Sequence, residues 1–590
     1  MNQPDIFTFI TAEESVYQTQ EIQLSNSWSW NMKNHLMMSF NFIHGMFMTG
    51  ENNWTRVFKK IIQPILNFRY AAEDIEVRDI LLYVEDPQGE HLSFLLKKYH
   101  DEVFLKENNL DEFIDDANES DIDYGGILVQ DTGEAKPEVH SLHAIAFCDQ
   151  TNILGGPIGF KHYFSPDKLR GMEKIGWGSK ENGANITLKE LIRQAEPEKD
   201  SIAPFGSRQN ITTGKNIEVY VVRGELPEAY LKDNNNFDSW YGQVQIAAFY
   251  YTKGKKDKSH AILYRKKETK SPLKFYTANK KVYGRGLGMG GAEELFHPQI
   301  WTNFLEIHKM NLLEAASKVP LYTDDPAYAN RNKIQDMENL EITTIQDGKV
   351  IRQVPTAAPV NIQLFDRTIN GLYENAQQIA SAFDPLLGQP APSGTPFRAQ
   401  ERQVIQGRGP HDRRRGKFAK FLEEVYRDII LPRLSREILK GKKFLATLSS
   451  EEMQWVSERM AENLASREIV EAVLNGELPP NKEVLKQQIM ADFTKKGNKQ
   501  WFEILKDEFK DAEIKISINI AGKQKDLALL VDKLVNMVQQ GFASPEVIKK
   551  IVQASGLNPI DFPALAQIPA SAPEEAGAAL SQPPEAVAVT

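Results

Sequence analysis

Residues 283–318 read YGRGLGMGGAEELFHPQIWTNFLEIHKMNLLEAASK. A glycine-rich turn opens the stretch, and apolar residues then recur at helical intervals: Leu295, Trp301, Phe304, Leu305, Leu312 and Ala316. The spacing predicts a helix over Ala292–Lys318, with Pro298 at a kink or at its true first turn and Pro320 as its stop. The texture differs on either side. Between Gly125 and Tyr283 the chain consists of short β-rich runs separated by turns, and after Tyr283 helices dominate. Strands gathered on one side and helices on the other predict an α+β fold.

Upstream, the best strands are 127–129, 217–222, 243–251, 261–264 and 273–276. Lys253–Lys270 is strongly basic, as expected of a hairpin at a sheet edge protected by lysines. Trp28–Arg69 has the spacing of two short amphipathic helices, and Leu92–Phe104 that of another. Asn108–Asp123 holds five Asp and two Glu. It lacks the ligand spacing and pivotal glycine of a calcium loop, so a solvated loop is expected.

Downstream, prolines at 320, 355 and 359 bracket a small module with a turn at Asp347-Gly348. Phe365, Ile369, Leu372, Ala376, Ile379 and Phe383 follow at spacings of four and three, the seam of a helix packed on a neighbour at a shallow angle. Pro385 and the Gly388–Pro396 loop interrupt the path. A long helical stretch then runs from Phe397 towards Lys440, with a break expected at Gly407-Arg408-Gly409-Pro410 and a kink or end at Pro432. Ser449 and Glu452 form a capping box for a helix over 450–464, and Ala512–Ile520 reads as a strand. Lys523–Gln540 and Pro545–Ala554 suggest a helical hairpin, and the Ala- and Pro-rich tail from Ala564 is expected to be disordered.

The 590 residues suggest three or four folding units. Lys and Arg number 70 and Asp and Glu 80, so the net charge is 70 − 80 = −10, against a surface that coats nucleic acid wholesale. A single cysteine, Cys148, excludes a disulfide framework and any cysteine-rich metal module. No apolar run approaches the roughly 20 residues of a membrane span, and Met1–Phe9 lacks the layout of a leader. A soluble protein of a reducing cytosol, free of membrane, metal and cofactor, is expected.

Motifs for chemistry are few. Gly286, Gly288 and Gly291 satisfy G-x-G-x-x-G after a strand and before a helix, but no βαβ series follows, so a flexible strand-to-helix turn is the expectation. There is no G-x-x-x-x-G-K-[ST], G-x-S-x-G or H-E-x-x-H. The strongest electrostatic feature is Arg408, Arg413, Arg414, Arg415, Lys417 and Lys420, diluted only by Asp412. Arginines suit phosphate, whereas pairing with acids of neighbouring chains is the structural alternative. No aromatic platform accompanies the cluster, so contact with DNA would run through the backbone without sequence readout. An enzyme acting on nucleic acid or nucleotides through cluster 408–420 or glycine turn 284–291 is the competing class.

The order of these features resembles the portal proteins of tailed double-stranded DNA bacteriophages, the head-to-tail connectors through which DNA enters and leaves the capsid. The resemblance begins with Asp123-Tyr-Gly-Gly126, Ala146-Phe-Cys-Asp149 and Gly156-Pro-Ile-Gly-Phe-Lys-His162. It sharpens at Tyr283-Gly-Arg-Gly-Leu-Gly288 with Glu293, Glu294, Leu295, Gln299 and Asn303, where portals often carry a glycine–arginine–glycine turn, an acid, then Gln and Asn on the next helix. It continues through Asp384-Pro-Leu-Leu-Gly388 and Ser393-Gly-Thr395, after which Thr395-Pro-Phe-Arg-Ala-Gln-Glu401 departs from the Thr-Ala-Thr-Glu of many portals.

The resemblance implies a ring of twelve subunits with residues 1–290 as an N-terminal wing, 291–318 and 364–383 as stem helices and 319–363 as the clip between them. It further implies a tunnel-lining loop at 384–396 (Pro385, Gly388, Ser393, Gly394), wing again at 397–520, a crown at 521–560 and the tail at 561–590. The implied function is structural and non-enzymatic: a channel at the capsid vertex for packaging and ejection of viral double-stranded DNA. The implied partners are the terminase large subunit, which carries the motor, the major capsid protein and the tail adaptor proteins.

Overall fold

The computed structural model describes residues 5–25, 28–45, 59–76, 79–84, 89–195, 216–252, 258–317, 321–322, 352–353, 359–382, 397–440, 448–476, 478–496, 503, 505–509 and 514–518. The expected tunnel loop, crown and tail, most of the clip, and Phe383, Pro385, Gly388, Ser393 and Gly394 lie outside them.

Among the described residues, eight strands carry the β-rich half: β1 (Ile127–Gln130), β2 (Glu138–His140), β3 (Ile145–Phe147), β4 (Ile158–Phe164), β5 (Ile217–Pro227), β6 (Trp240–Tyr251), β7 (Lys258–Lys267) and β8 (Leu273–Tyr276). One antiparallel sheet runs β7-β6-β5-β4-β3 and a second runs β8-β1-β2. The long helices are α1 (Ile6–Thr19), α2 (Met32–His44), α3 (Ile62–Glu73), α4 (Glu90–Tyr99), α5 (Leu110–Tyr124), α6 (Phe296–Ser317), α7 (Pro359–Ile379), α8 (Phe397–Val425), α9 (Ser450–Leu474) and α10 (Lys482–Lys496).

The five-stranded sheet is covered on both faces. Ile6, Phe7 and Ile10 of α1 pack on Tyr220, Val222, Leu226 and Ala247, whereas Val219, Val221, Ile246 and Ala248 enter the main core with Phe160 and Leu191. Burial on both faces explains why 217–222 is continuously apolar-rich rather than alternating, a pattern more usual in parallel sheets. Strand β7 forms one edge, and two of its lysines are engaged: Lys258 Nζ meets Glu218 Oε2 at 2.6 Å, and Lys267 lies 4.1 Å from the Tyr241 ring centroid.

The acidic run is not the expected solvated loop; it is helix α5. Asn109, at φ 48°, starts it, and Gly125, at φ 81°, ends it in the left-handed region. Leu110, Phe113, Ile114, Ala117 and Ile122 fall on one buried face, so the carboxylates between them mask a helical period. On the outer face, partial burial and then the charges of Asp74, Asp111 and Asp116 raise the Asp115 carboxyl above its usual value.

Two further expectations are corrected. Helix α8 passes unbroken through Gly407-Arg408-Gly409-Pro410. An interior proline costs about 3 kcal/mol, and burial of His411, Arg415, Phe418 and Ala419 immediately after it holds the helix together. The predicted 292–318 helix is two pieces, a short turn Gly291–Glu294 and α6, joined at Leu295, with Pro298 in the first turn of α6.

The chain forms two compact units, each assembled from two stretches: Met1–Asp74 with Asn109–Phe421, and Ile75–Asn108 with Leu422–Thr590. In the second, strand Ile80–Val84 pairs antiparallel with Ile514–Ile518. Helix α9 begins at the expected capping box and runs to Leu474, and Lys98 of α4 meets Glu452 of α9 at 2.6 Å. A π turn at Tyr426–Ile430 precedes Leu431–Ile438, relieving the backbone around Pro432.

Candidate functional site

Helical periodicity splits the basic cluster of α8 in two. Arg408, Arg413 and Lys420 are exposed, beside Asp412 and Glu424, and none of the three has an ion-pair partner among the described residues. Arg415 is buried at 9% exposure, and Arg414 and Lys417 are half-buried. Lys417 Nζ donates to the Ala278 carbonyl at 3.0 Å, and its own carbonyl accepts from Tyr276 Oη at 2.8 Å.

Arg414 belongs to a sealed ionic hub within the first unit. Its Nη1 lies 3.3 Å from Glu73 Oε1 on α3, and its Nη2 lies 3.4 Å from Glu294 Oε1 in the Gly291–Glu294 turn. Arg69, one turn before Glu73, reaches the same two acids, with Nε 3.4 Å from Glu73 and Nη1 3.2 Å from Glu294. His411 Nδ1 is 2.8 Å from Glu73 Oε1, and its Nε2 is 3.1 Å from the carbonyl of Ser381, a left-handed residue (φ 57°) just beyond α7. Asn279 Nδ2 donates to the carbonyl and carboxylate of Asp121 on α5. The hub thus ties α3, α5, α8, the turn before α6 and the end of α7.

Arg69 is 0% exposed and His411 1%, so the hub is closed to substrate. Burial alone would raise Glu73, but the His411 hydrogen bond and the Arg69 and Arg414 charges outweigh it and hold the carboxyl below its usual range. Asp121 behaves oppositely: burial pushes it up to about 7 against the Ala278 backbone hydrogen bond. Asp123 is likewise pushed up to about 7 by burial, although Tyr70 Oη donates to it at 2.5 Å.

The glycine turn is packed tight rather than flexible, and several of its amides are occupied. Gly286 N donates to Gln150 O (2.8 Å), Gly288 N to Gly125 O (3.0 Å) and Met289 N to Lys280 O (2.9 Å). A Cβ on Gly290 would lie 2.5 Å from the Asp123 carbonyl. Arg285 is 7% exposed, donates to the Leu287 and Gly288 carbonyls and forms a bidentate pair with Glu293 at 3.0 and 2.6 Å. Phosphate binding needs free amides at a helix start, and here two acids, Glu293 and Glu294, sit in that first turn.

Gln299 and Asn303 hold the start of α3, a role the sequence did not reveal. Gln299 Oε1 accepts from Ile61 N (3.0 Å) and Ile62 N (3.2 Å), its Nε2 donates to Lys59 O (2.7 Å), and Asn303 Oδ1 accepts from Lys59 N (3.1 Å). Helix α3 lacks a side-chain cap of its own, and these groups supply its partners from 237 residues away or more.

Helices α6 and α7 run antiparallel: Lys309 meets Asp366 at 2.5 Å, while Leu295 before α6 and Ala376 and Ala380 near the end of α7 enter the same core. Of the expected seam, Ile369 and Ala376 are buried, Phe365 and Leu372 half-buried, and Ile379 is 41% exposed. Large apolar side chains elsewhere on the pair lie open, among them Trp301 (54%), Phe304 (50%), Met310 (48%) and Leu364 (63%).

Among the described residues, no cluster of three or more His, Cys, Asp or Glu could hold a metal ion, and no helix is long and apolar enough to cross a membrane. No protein-family model matches the chain, and no curated protein matches it. Among solved structures, the chain is similar to one from the virion of a native gene transfer agent particle, at 9% identity and a TM-score of 0.28, over 80% of this chain and 99% of that one. It is similar at the same identity and TM-score to one from the neck of an empty gene transfer agent particle, over 80% of this chain and 100% of that one. A TM-score this low is below that of a shared fold, so neither likeness bears on function.

Proposed function

We propose that this chain is the subunit of a portal ring of twelve copies, a non-enzymatic channel for packaging and ejecting double-stranded DNA at a capsid vertex. The observation that carries the reading is the α6–α7 pair. Two antiparallel helices leave the core side by side with Trp301, Phe304, Met310 and Leu364 open to solvent, a state costly for a lone subunit and relieved by copies packed around an axis. In this reading the pair is the stem, and the expected clip at 319–363, whose last residues already form the start of α7 at Pro359, receives the terminase motor and then tail adaptors. Loop 384–396 lines the tunnel, 521–560 forms the crown, and the wing meets the major capsid protein.

Arg408, Arg413 and Lys420 are the cations available to passing DNA. Three positive groups beside Asp412 and Glu424 on a net-negative subunit favour weak, sliding contact over a tight grip. The internal roles of Arg414, Arg415 and Lys417 leave them to hold the helix that presents the other three.

Native mass spectrometry and negative-stain microscopy of the full chain test the proposal. Closed rings with a central channel are expected at micromolar protein; a stable monomer without rings would overturn it.

A further inference from the structure

A cavity of about 280 Å³ lies within the first unit between α1, the start of α2 and strands β3 and β4. Its floor is small, with Ala146 opposite Gly159 across the β3–β4 ladder. Its walls bring Lys33 and Lys161 together with Tyr17 and Glu14.

Donors exceed acceptors here. Lys33 Nζ donates to the His143 carbonyl at 2.8 Å, and Lys161 Nζ lies 3.0 Å from Glu218 Oε1. Against burial, hydrogen bonds to Tyr220 and Glu218 hold the Lys161 amine above its usual value, so the spare donors are chiefly those of Lys33, whose ammonium carries three, and the Tyr17 hydroxyl. Glu14, the one carboxylate in the lining, already accepts from Tyr220 Oη at 2.7 Å. Tyr17 is 2% exposed, and its hydroxyl has no hydrogen-bond partner among the described residues. The lysines also feel each other: burial first lowers the Lys33 amine below its usual value, Glu14 opposes this, and the Lys161 charge lowers it further. An anion placed between the two ammonium groups relieves that repulsion and meets the unused donors.

We propose that this cavity is an oxyanion site that takes a single carboxylate from an acidic side chain of a partner protein. A carboxylate suits it better than nucleic acid. Glu14 of α1 lines the cavity, and a duplex carrying a charge every ~1.7 Å would bring several phosphates against it. A lone carboxylate on a flexible stem sets one charge rather than many against Glu14 and reaches Lys33 and Tyr17 inside the recess.

The test is lysine reactivity on the full chain, with reductive methylation read by mass spectrometry and N-acetylglutamate amide as the probe. At ten times its dissociation constant the probe should slow modification of Lys33 and Lys161 about tenfold by occupancy, while exposed Lys189 is unchanged. Lys161→Met should abolish protection of Lys33, and Ala146→Leu should do so with both lysines in place. The proposal fails if the probe gives no protection up to about 0.1 M, where the screening length has already fallen to about 10 Å. It also fails if uncharged N-acetylglutamine amide protects equally, or if a short DNA duplex protects both lysines and the probe does not.

Discussion

Arg69→Met is the sharpest probe of the ionic hub. The substitution keeps most of the apolar stem and removes a guanidinium that is 0% exposed. Glu73 and Glu294, whose side chains are 5% and 13% exposed, each lose one cation at 3.4 and 3.2 Å. Removing one partner of a buried pair costs about 3–5 kcal/mol, because the other charge stays buried and uncompensated. Glu73 still has His411 at 2.8 Å and Arg414 at 3.3 Å, which places the expected loss near about 3 kcal/mol, the lower end of that range. Arg414→Met, a half-exposed partner at 3.3 and 3.4 Å, should cost less, about 1–2 kcal/mol. Because both arginines share the same two acids, the double variant should depart from additivity by about 1 kcal/mol or more. Urea unfolding at one fixed protein concentration measures this, with the earliest transition read separately because the chain holds two units. If Arg69→Met unfolds within about 1 kcal/mol of the parent, or if the double variant is strictly additive, the hub does not fasten these helices.

Other outcomes follow from single contacts. Gln299→Leu deprives Ile61 N, Ile62 N and Lys59 O of their partner and should destabilise by about 2–4 kcal/mol in the same assay, with little effect on α6 itself. Gly290→Ala, with its Cβ 2.5 Å from the Asp123 carbonyl, should yield insoluble or protease-sensitive protein, whereas Gly171→Ala, with open space around it, should fold. Asp121 is a carboxyl raised in the fold to about 7 from an unfolded value of about 3.9. Its contribution is therefore full below pH 4 and lost as pH rises through 7, so Asp121→Asn should flatten the decline in stability over that window. Trp301→Asp with Phe304→Asp should leave a folded monomer by circular dichroism and abolish rings in the microscope; rings that survive would separate these residues from assembly.

Strands and helices were legible where their apolar pattern stood out from its neighbours, whether one face met the core, as in α7, or both did, as in β5. Strand β8 was predicted at its observed bounds, and the seam of α7 contained Ile369 and Ala376, which are buried. Helix α5 was missed because alternating carboxylates hid Phe113, Ile114 and Ala117, and α8 was expected to break because local propensity at Gly407–Pro410 yields to burial of the residues that follow. The N-terminal helix α1 carried too weak a pattern to stand out, although Ile6, Phe7 and Ile10 cover a whole sheet face.

Charge was the harder reading, and the reason is sequence distance. Six cations within 408–420 look equivalent in one dimension, yet a turn of 100° per residue sends Arg413 outward and Arg414 to the side where acids wait. Those acids, Glu73 and Glu294, lie 341 and 120 residues away, beyond any local pattern. A buried guanidinium demands partners more strictly than an exposed one does, so the inward arginines are constrained by the fold and the outward three are not. In the proposed reading, contact with DNA therefore falls to the outward Arg408, Arg413 and Lys420, whereas Arg414, Arg415 and Lys417 are held inside the fold.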